Sequence, residues 1–109
     1  MKVISTETAP AAIGPYSQAI VTNGLVFASG QIPVDPATGA PAGDTIDTQA
    51  GSDMTKVVKT TCFLADMADF AKFNEIYAKY FVSCPARSCV AAKALPKGVL
   101  CEIEAIAEL

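Results

Sequence analysis

From Cys101 to Leu109 the chain alternates: Cys101, Ile103, Ala105, Ala107 and Leu109 point one way, Glu102, Glu104 and Glu108 the other, with Ile106 among the acids. Successive side chains of a strand leave opposite faces, so this segment demands a sheet with one dry face and one wetter face. The odd-numbered face should pack against helix, and the even-numbered face carries the acids. Every other element has to fit that frame.

Upstream, Ser17–Thr22 and Leu25–Ser29 flank Asn23-Gly24, the two-residue loop of a tight hairpin. Gly30-Gln31-Ile32-Pro33 breaks that ladder, and Asp35–Gly39 reads as a loop. Lys56–Leu64 is β-branched and mostly apolar, as a central strand should be. A helix follows, with Asp66 or Asp69 as its cap and Phe70, Phe73, Tyr77, Tyr80 and Phe81 recurring on one face as core. Lys72, Glu75 and Lys79 form its solvated face, Asn74 falls among the aromatics, and Pro85 stops it. Two strands joined by Pro96-Lys97-Gly98 complete the chain.

Between Gly30 and Lys56 no helical apolar stripe exists, although parallel strands need a crossover of about a dozen residues or more and structureless loops near ~20 residues are uncommon. The chain looks short by a helix.

The composition narrows the chemistry. A net charge of −3 with no run of Lys or Arg disfavours nucleic acid as a partner. No segment approaches the ~18 apolar residues of a membrane span, and no secretion signal is apparent, so the expectation is a soluble cytoplasmic protein. The chain is 51% hydrophobic and only 17% charged, which suggests that some apolar surface lies against other copies. Four cysteines, Cys62, Cys84, Cys89 and Cys101, form no C-x-x-C pair and histidine is absent. Reduced thiols, no metal, and no imidazole catalysis are therefore expected; chemistry must use Arg, Glu, Asp, Tyr, Ser, Cys or backbone groups.

Arg87, in Pro85-Ala86-Arg87-Ser88-Cys89-Val90, is a cation in an apolar stretch, tolerated there only at a strand edge or where something anionic meets it. If the last hairpin pairs Leu95 with Leu100, Lys93 faces Glu102, Cys89 faces Ile106 and Arg87 faces Glu108. Arg87 and Glu102 then share a face about 20 Å apart along the ladder, too far for one small ligand to meet both. For the two to serve one site, the acid has to come from a neighbouring copy.

The segments Ala9–Gln18, Ala28–Pro33, Phe73–Tyr77, Pro85–Val90 and Glu102–Ala107 together resemble the Rid family, with the RidA subgroup the nearest match. The resemblance covers nearly all of residues 1–109, read as one domain. It implies an α+β fold similar to chorismate mutase, a mixed sheet with helices on one face, assembled as a homotrimer with clefts between subunits. It also implies cofactor-free hydrolysis of 2-imino or enamine acids, such as 2-iminobutanoate and 2-iminopropanoate, to 2-keto acids and ammonia. Carried over, Arg87 grips the substrate carboxylate and Glu102 handles the proton of the attacking water, while Tyr16, Ser29, Gly30, Asn74 and Cys89 shape the pocket, Cys89 through its main chain. This chain departs from the family at Ala50-Gly51, where a helix of several turns is missing and its ends are joined directly.

On general grounds Arg87 would be a solvated strand end, Glu102 and Glu104 an ordinary wet face, and Cys89 a small packed residue; the motifs reverse this for Arg87 and Glu102 and leave it standing for Glu104. A non-catalytic binder of small 2-keto or amino acids would keep Arg87 and have no use for Glu102. An RNA-cleaving role is disfavoured by the acidic balance.

Overall fold

The computed structural model describes residues 1–7, 11–31 and 53–109. The proposed junction at Ala50-Gly51, the loop at Asp35–Gly39 and the break at Ile32-Pro33 lie outside them. Among the described residues six strands form one sheet: β1 (Lys2–Ile4), β2 (Ala19–Thr22), β3 (Leu25–Gln31), β4 (Val57–Leu64), β5 (Ala86–Ala91) and β6 (Cys101–Glu108), in the order β1-β2-β3-β6-β4-β5. One helix, α1 (Phe70–Tyr80), stands among the described residues.

The Asn23-Gly24 hairpin forms as expected. Thr22 pairs with Leu25, and Asn23 and Gly24 take φ of 51° and 74°, the left-handed pair that matches the twist of the flanking strands. Strand β1 was not foreseen: Lys2–Ile4 pairs with Val21–Ala19, and beyond it the buried Gln18 amide takes over. Thr6 N–H donates to Gln18 Oε1 at 2.7 Å and Gln18 Nε2 donates to Thr6 O at 3.2 Å, so a side chain continues the ladder. Ile4, Ala19 and Val26 are buried here, with Val21 and Ala28 packed against them.

β4 is central, as its composition requires. It runs antiparallel to β6 on one side and parallel to β5 on the other. The parallel pair needs a crossover, and α1 supplies it. Asp66 caps the short 3₁₀ turn Met67–Asp69 before the helix by accepting from Ala68 N–H, whereas Asp69 holds the helix N-cap without a side-chain bond. The helix ends at Tyr80, before Pro85 is reached. Its aromatic stripe meets the sheet, yet Tyr80 is 39% exposed and no α1 residue is fully buried. The stripe is thus a half-buried boundary rather than core, because the sheet meets it from one side only. Lys72, Glu75 and Lys79 are exposed as expected.

The expected final hairpin is not there. β5 and β6 do not pair; β4 lies between them, and residues 92–100 step over its end. Ala92 N–H donates to Leu64 O and Ala65 N–H donates to Leu100 O, each at 2.9 Å, so the end of β4 pins both flanks of the link. The Pro96–Gly98 turn is real, but it belongs to a crossover of one strand and sets no pairing of Leu95 with Leu100. The face assignment of β6 does hold. Ile103 and Ala105 stand beside the fully buried Cys62 and Thr60, and Glu102 and Glu104 stand beside Phe63 and Thr61 on the other face.

Candidate active site

Arg87 stands beside Thr60 in the β4–β5 register, on the face covered by α1. Its guanidinium is half-buried and is met by one stripe of the helix. NH1 donates to Asn74 Oδ1 at 2.8 Å, and Cζ lies 4.7 Å from the Tyr77 ring centroid and 5.5 Å from that of Phe70. Positions 70, 74 and 77 recur at helical spacing, so all three side chains reach the same spot. Tyr77 is itself anchored: its hydroxyl shares a 2.7 Å hydrogen bond with Thr60 Oγ1, and its ring stacks on Phe81 at 4.2 Å. Burial pushes the Tyr77 phenol above its ordinary range, with the Thr60 bond pulling the other way, so the hydroxyl stays neutral. Among the described residues no carboxylate pairs with Arg87. A half-buried cation with ring faces and one amide oxygen for company retains N–H groups to offer an anion.

Glu102 occupies the opposite face. It is half-buried and beside Phe63, and its carboxyl group lies over Gly30, which falls within the irregularity in β3 between Ala28 and Gln31. A Cβ at Gly30 would stand 2.9 Å from Glu102 Cδ and 3.2 Å from Cγ, so the acid can occupy this position only because residue 30 has no side chain. Ser29 Oγ donates to Ser17 O at 2.6 Å, and Ser29 N–H to Gln18 O at 2.9 Å, which fastens β3 to the segment bearing Tyr16. Tyr16 is 55% exposed, held at its N–H by Gly14 O at 2.9 Å. On the same open face Tyr16, Phe27, Ser29, Lys59, Glu104 and Ile106 line a groove of about 580 Å³.

The expected site residues therefore form two groups. Arg87 and Asn74 touch each other, and Cys89 lies on the same face two residues along β5, beside Cys62. Gly30 and Glu102 meet on the two middle strands, on the opposite face, with Ser29 adjacent in β3 and lining the groove beside Tyr16. The expectation that Arg87 and Glu102 share a face is corrected: with β4 between their strands, they point to opposite faces. Their separation is also revised. Two strand spacings of ~4.8 Å and three residues of ~3.3 Å place the Cα atoms about 14 Å apart. One small molecule cannot meet both side chains of one chain, now because the sheet itself intervenes.

Two of the four thiols are disfavoured as nucleophiles. Cys62 is fully enclosed, and burial pushes its thiol up to about 11; burial raises Cys101 as well. Among the described residues no cluster of His, Cys, Asp or Glu is placed to hold a metal ion, and no helix is long and apolar enough to cross a membrane. Reading the sequence alone missed Tyr77 and Phe70 as neighbours of Arg87. Their spacing from Asn74 placed them together, but nothing local ties that stripe to an arginine seven residues past the helix.

The family model described as Endoribonuclease L-PSP matches residues 6–51 and 44–109, two segments that overlap where the junction at Ala50-Gly51 was expected. The putative regulator AldR of Lactococcus lactis is 51% identical over 124 residues, covering 100% of this chain and 98% of its own length. Since that alignment of 124 takes in all 109 residues here, 15 of its positions fall on the relative alone. About 15 residues is four turns of helix, ~22 Å. The 2-iminobutanoate/2-iminopropanoate deaminase of Mus musculus is 48% identical over 121 residues, covering 97% of this chain and 90% of its own. Among solved structures, YyfA of Yersinia pestis, described as of the conserved Rid protein family, superposes with a TM-score of 0.89 at 46% identity, over 99% of this chain and 98% of its own. The chain belongs to the Endoribonuclease L-PSP family and, within it, to the Rid proteins.

Proposed function

We propose that this chain hydrolyses 2-imino and enamine acids, 2-iminobutanoate and 2-iminopropanoate among them, to 2-keto acids and ammonia. It does so in the cytoplasm, without a cofactor, as a homotrimer whose sites lie between subunits, removing reactive products of amino-acid metabolism. The observation that carries the reading is the Arg87 guanidinium, half-buried between rings and without a carboxylate partner among the described residues. Such a group suits the carboxylate of a small acid, which its planar fork grips with two hydrogen bonds. The mouse relative bears the name of this activity.

In this account Arg87 of one copy fixes the substrate carboxylate and Glu102 of the next copy faces the imine carbon. Glu102 takes a proton from water as the oxygen adds to that carbon, giving a tetrahedral carbinolamine. The imine reacts with its nitrogen protonated, so Glu102 returns the proton to an amine nitrogen; as the C–N bond breaks and ammonia leaves, Glu102 takes the hydroxyl proton, the oxygen becomes the keto group, and that proton passes to ammonia as ammonium. The opposed faces of the two residues support sharing between copies, as does apolar exposure on the open face, where Phe27 is 40% and Val90 49% exposed.

The test is to generate 2-iminopropanoate in situ with an amino-acid oxidase and follow pyruvate formation. Protein should accelerate it above the spontaneous rate. Glu102→Gln should abolish the acceleration and keep affinity for pyruvate. A non-catalytic binder would show affinity and no acceleration in either form. The family description invokes RNA cleavage; a chain of net charge −3 without a basic patch offers no support for that reading.

A further inference from the structure

We propose that Tyr77 is a positioning residue for Arg87, its ring face holding the guanidinium at the angle from which it receives a carboxylate. The inference rests on the reading of Arg87 as the carboxylate's partner. It starts from a closed loop of contacts. Thr60 lies directly beside Arg87 across β4–β5, Thr60 Oγ1 shares a hydrogen bond of 2.7 Å with the Tyr77 hydroxyl, and the Tyr77 ring returns to within 4.7 Å of Arg87 Cζ. The ring is therefore located relative to the backbone of the residue whose head group it meets. Phe81 stacks on it at 4.2 Å and Phe73 leans on it at 5.8 Å, so it has little freedom to turn.

An arginine on a free strand edge samples many rotamers, and binding must freeze them. Here the guanidinium is drawn to the negative face of Tyr77, with a weaker hold from Phe70 at 5.5 Å, while Asn74 Oδ1 fixes one N–H. The Tyr77 hydroxyl does not touch Arg87; it is committed to Thr60, which is fully buried. The ring face and the hydroxyl thus have separable duties, the first orienting the cation and the second anchoring the ring.

Two substitutions separate these duties. Tyr77→Phe keeps the ring and loses the anchor; Tyr77→Leu loses both. Three quantities are read: the proton shifts of the Arg87 Cδ methylene by NMR, the Kd for 2-oxobutanoate by calorimetry, and the split between KM and kcat in the imine assay. The wild type should show Cδ protons displaced upfield by the ring current. Tyr77→Phe should keep that displacement and a Kd within about threefold. Tyr77→Leu should lose it and weaken 2-oxobutanoate about tenfold, with KM rising by the same factor and kcat per folded site nearly unchanged. A merely structural role would reduce the folded fraction and leave Kd unmoved. Undisplaced Cδ protons in the wild type, a wild-type Kd in Tyr77→Leu, or equal weakening in both variants would overturn the proposal. Arg87→Met is the control: if it binds 2-oxobutanoate as the wild type does, the reading of Arg87 itself fails, whereas weak binding by Arg87→Met beside normal binding by Tyr77→Leu overturns the positioning role alone.

Discussion

Replacing Gly30 with alanine should raise stability slightly and abolish most activity. The new methyl carbon would stand 2.9 Å from Glu102 Cδ, and nearer still to Oε1. Carbon atoms rest at about 3.5–4.0 Å, so the carboxyl carbon must retreat by at least ~0.6 Å and its oxygen by roughly an ångström or more. The obstructing atoms are the end of a side chain that swings at little cost, and Gly30 does not occupy the left-handed region. The fold therefore accepts the methyl, and the loss of backbone freedom in the unfolded chain contributes ~0.4–1 kcal/mol in favour of folding. A misplacement of about 1 Å in a catalytic group costs on the order of 10²-fold in rate. Urea unfolding and the oxidase-coupled imine assay should move in opposite directions: midpoint unchanged or up, kcat/KM down about a hundredfold. Gly30→Ala with kcat/KM within threefold of the wild type would refute the assignment of Glu102 as the proton carrier at this position.

Thr60→Val keeps shape but leaves the half-buried Tyr77 hydroxyl without its partner, and should lower stability by about 1–3 kcal/mol in urea titrations. Thiol labelling in native protein at pH 8 should reach exposed Cys84 first and spare Cys62, which is enclosed and whose thiolate is scarce below pH about 11; mass spectrometry of peptides checks this. Because burial raises the Cys62 thiol from 9.0 to about 11, ionisation above pH 9 favours the unfolded chain, so stability is fully present below pH 9 and falls as pH rises towards 11. Cys62→Ala should flatten part of that slope in unfolding curves taken across this range.

What the sequence made legible was local. Asn23-Gly24 declares a hairpin because two left-handed residues leave the chain one geometry, and the alternation of residues 101–109 declares its faces because period two admits no other reading. The Phe70–Tyr80 helix is announced by its aromatic spacing. What stayed hidden was partner choice. Pro96-Lys97-Gly98 resembles a hairpin turn, and nothing near it reveals that β4, joined through α1, takes the place between β5 and β6. β1 is three residues long, too short to carry a pattern. At the site, Arg87, Asn74, Gly30 and Glu102 stood out as chemistry in apolar surroundings or through family motifs. Tyr77 did not, because an aromatic on an apolar stripe reads as packing until its distance to Arg87 is known.

The central claim is that Arg87 of one copy and Glu102 of another close on a single substrate. Arg87→Met and Glu102→Gln chains, each inactive alone, should be unfolded together, refolded as an equal mixture and assayed for imine hydrolysis. In a cyclic assembly roughly a quarter of the sites then join an intact arginine to an intact glutamate, and about a quarter of the wild-type rate should return. If both residues act from the same chain, no site in the mixture is whole, and activity staying at the level of the separate variants would contradict the account.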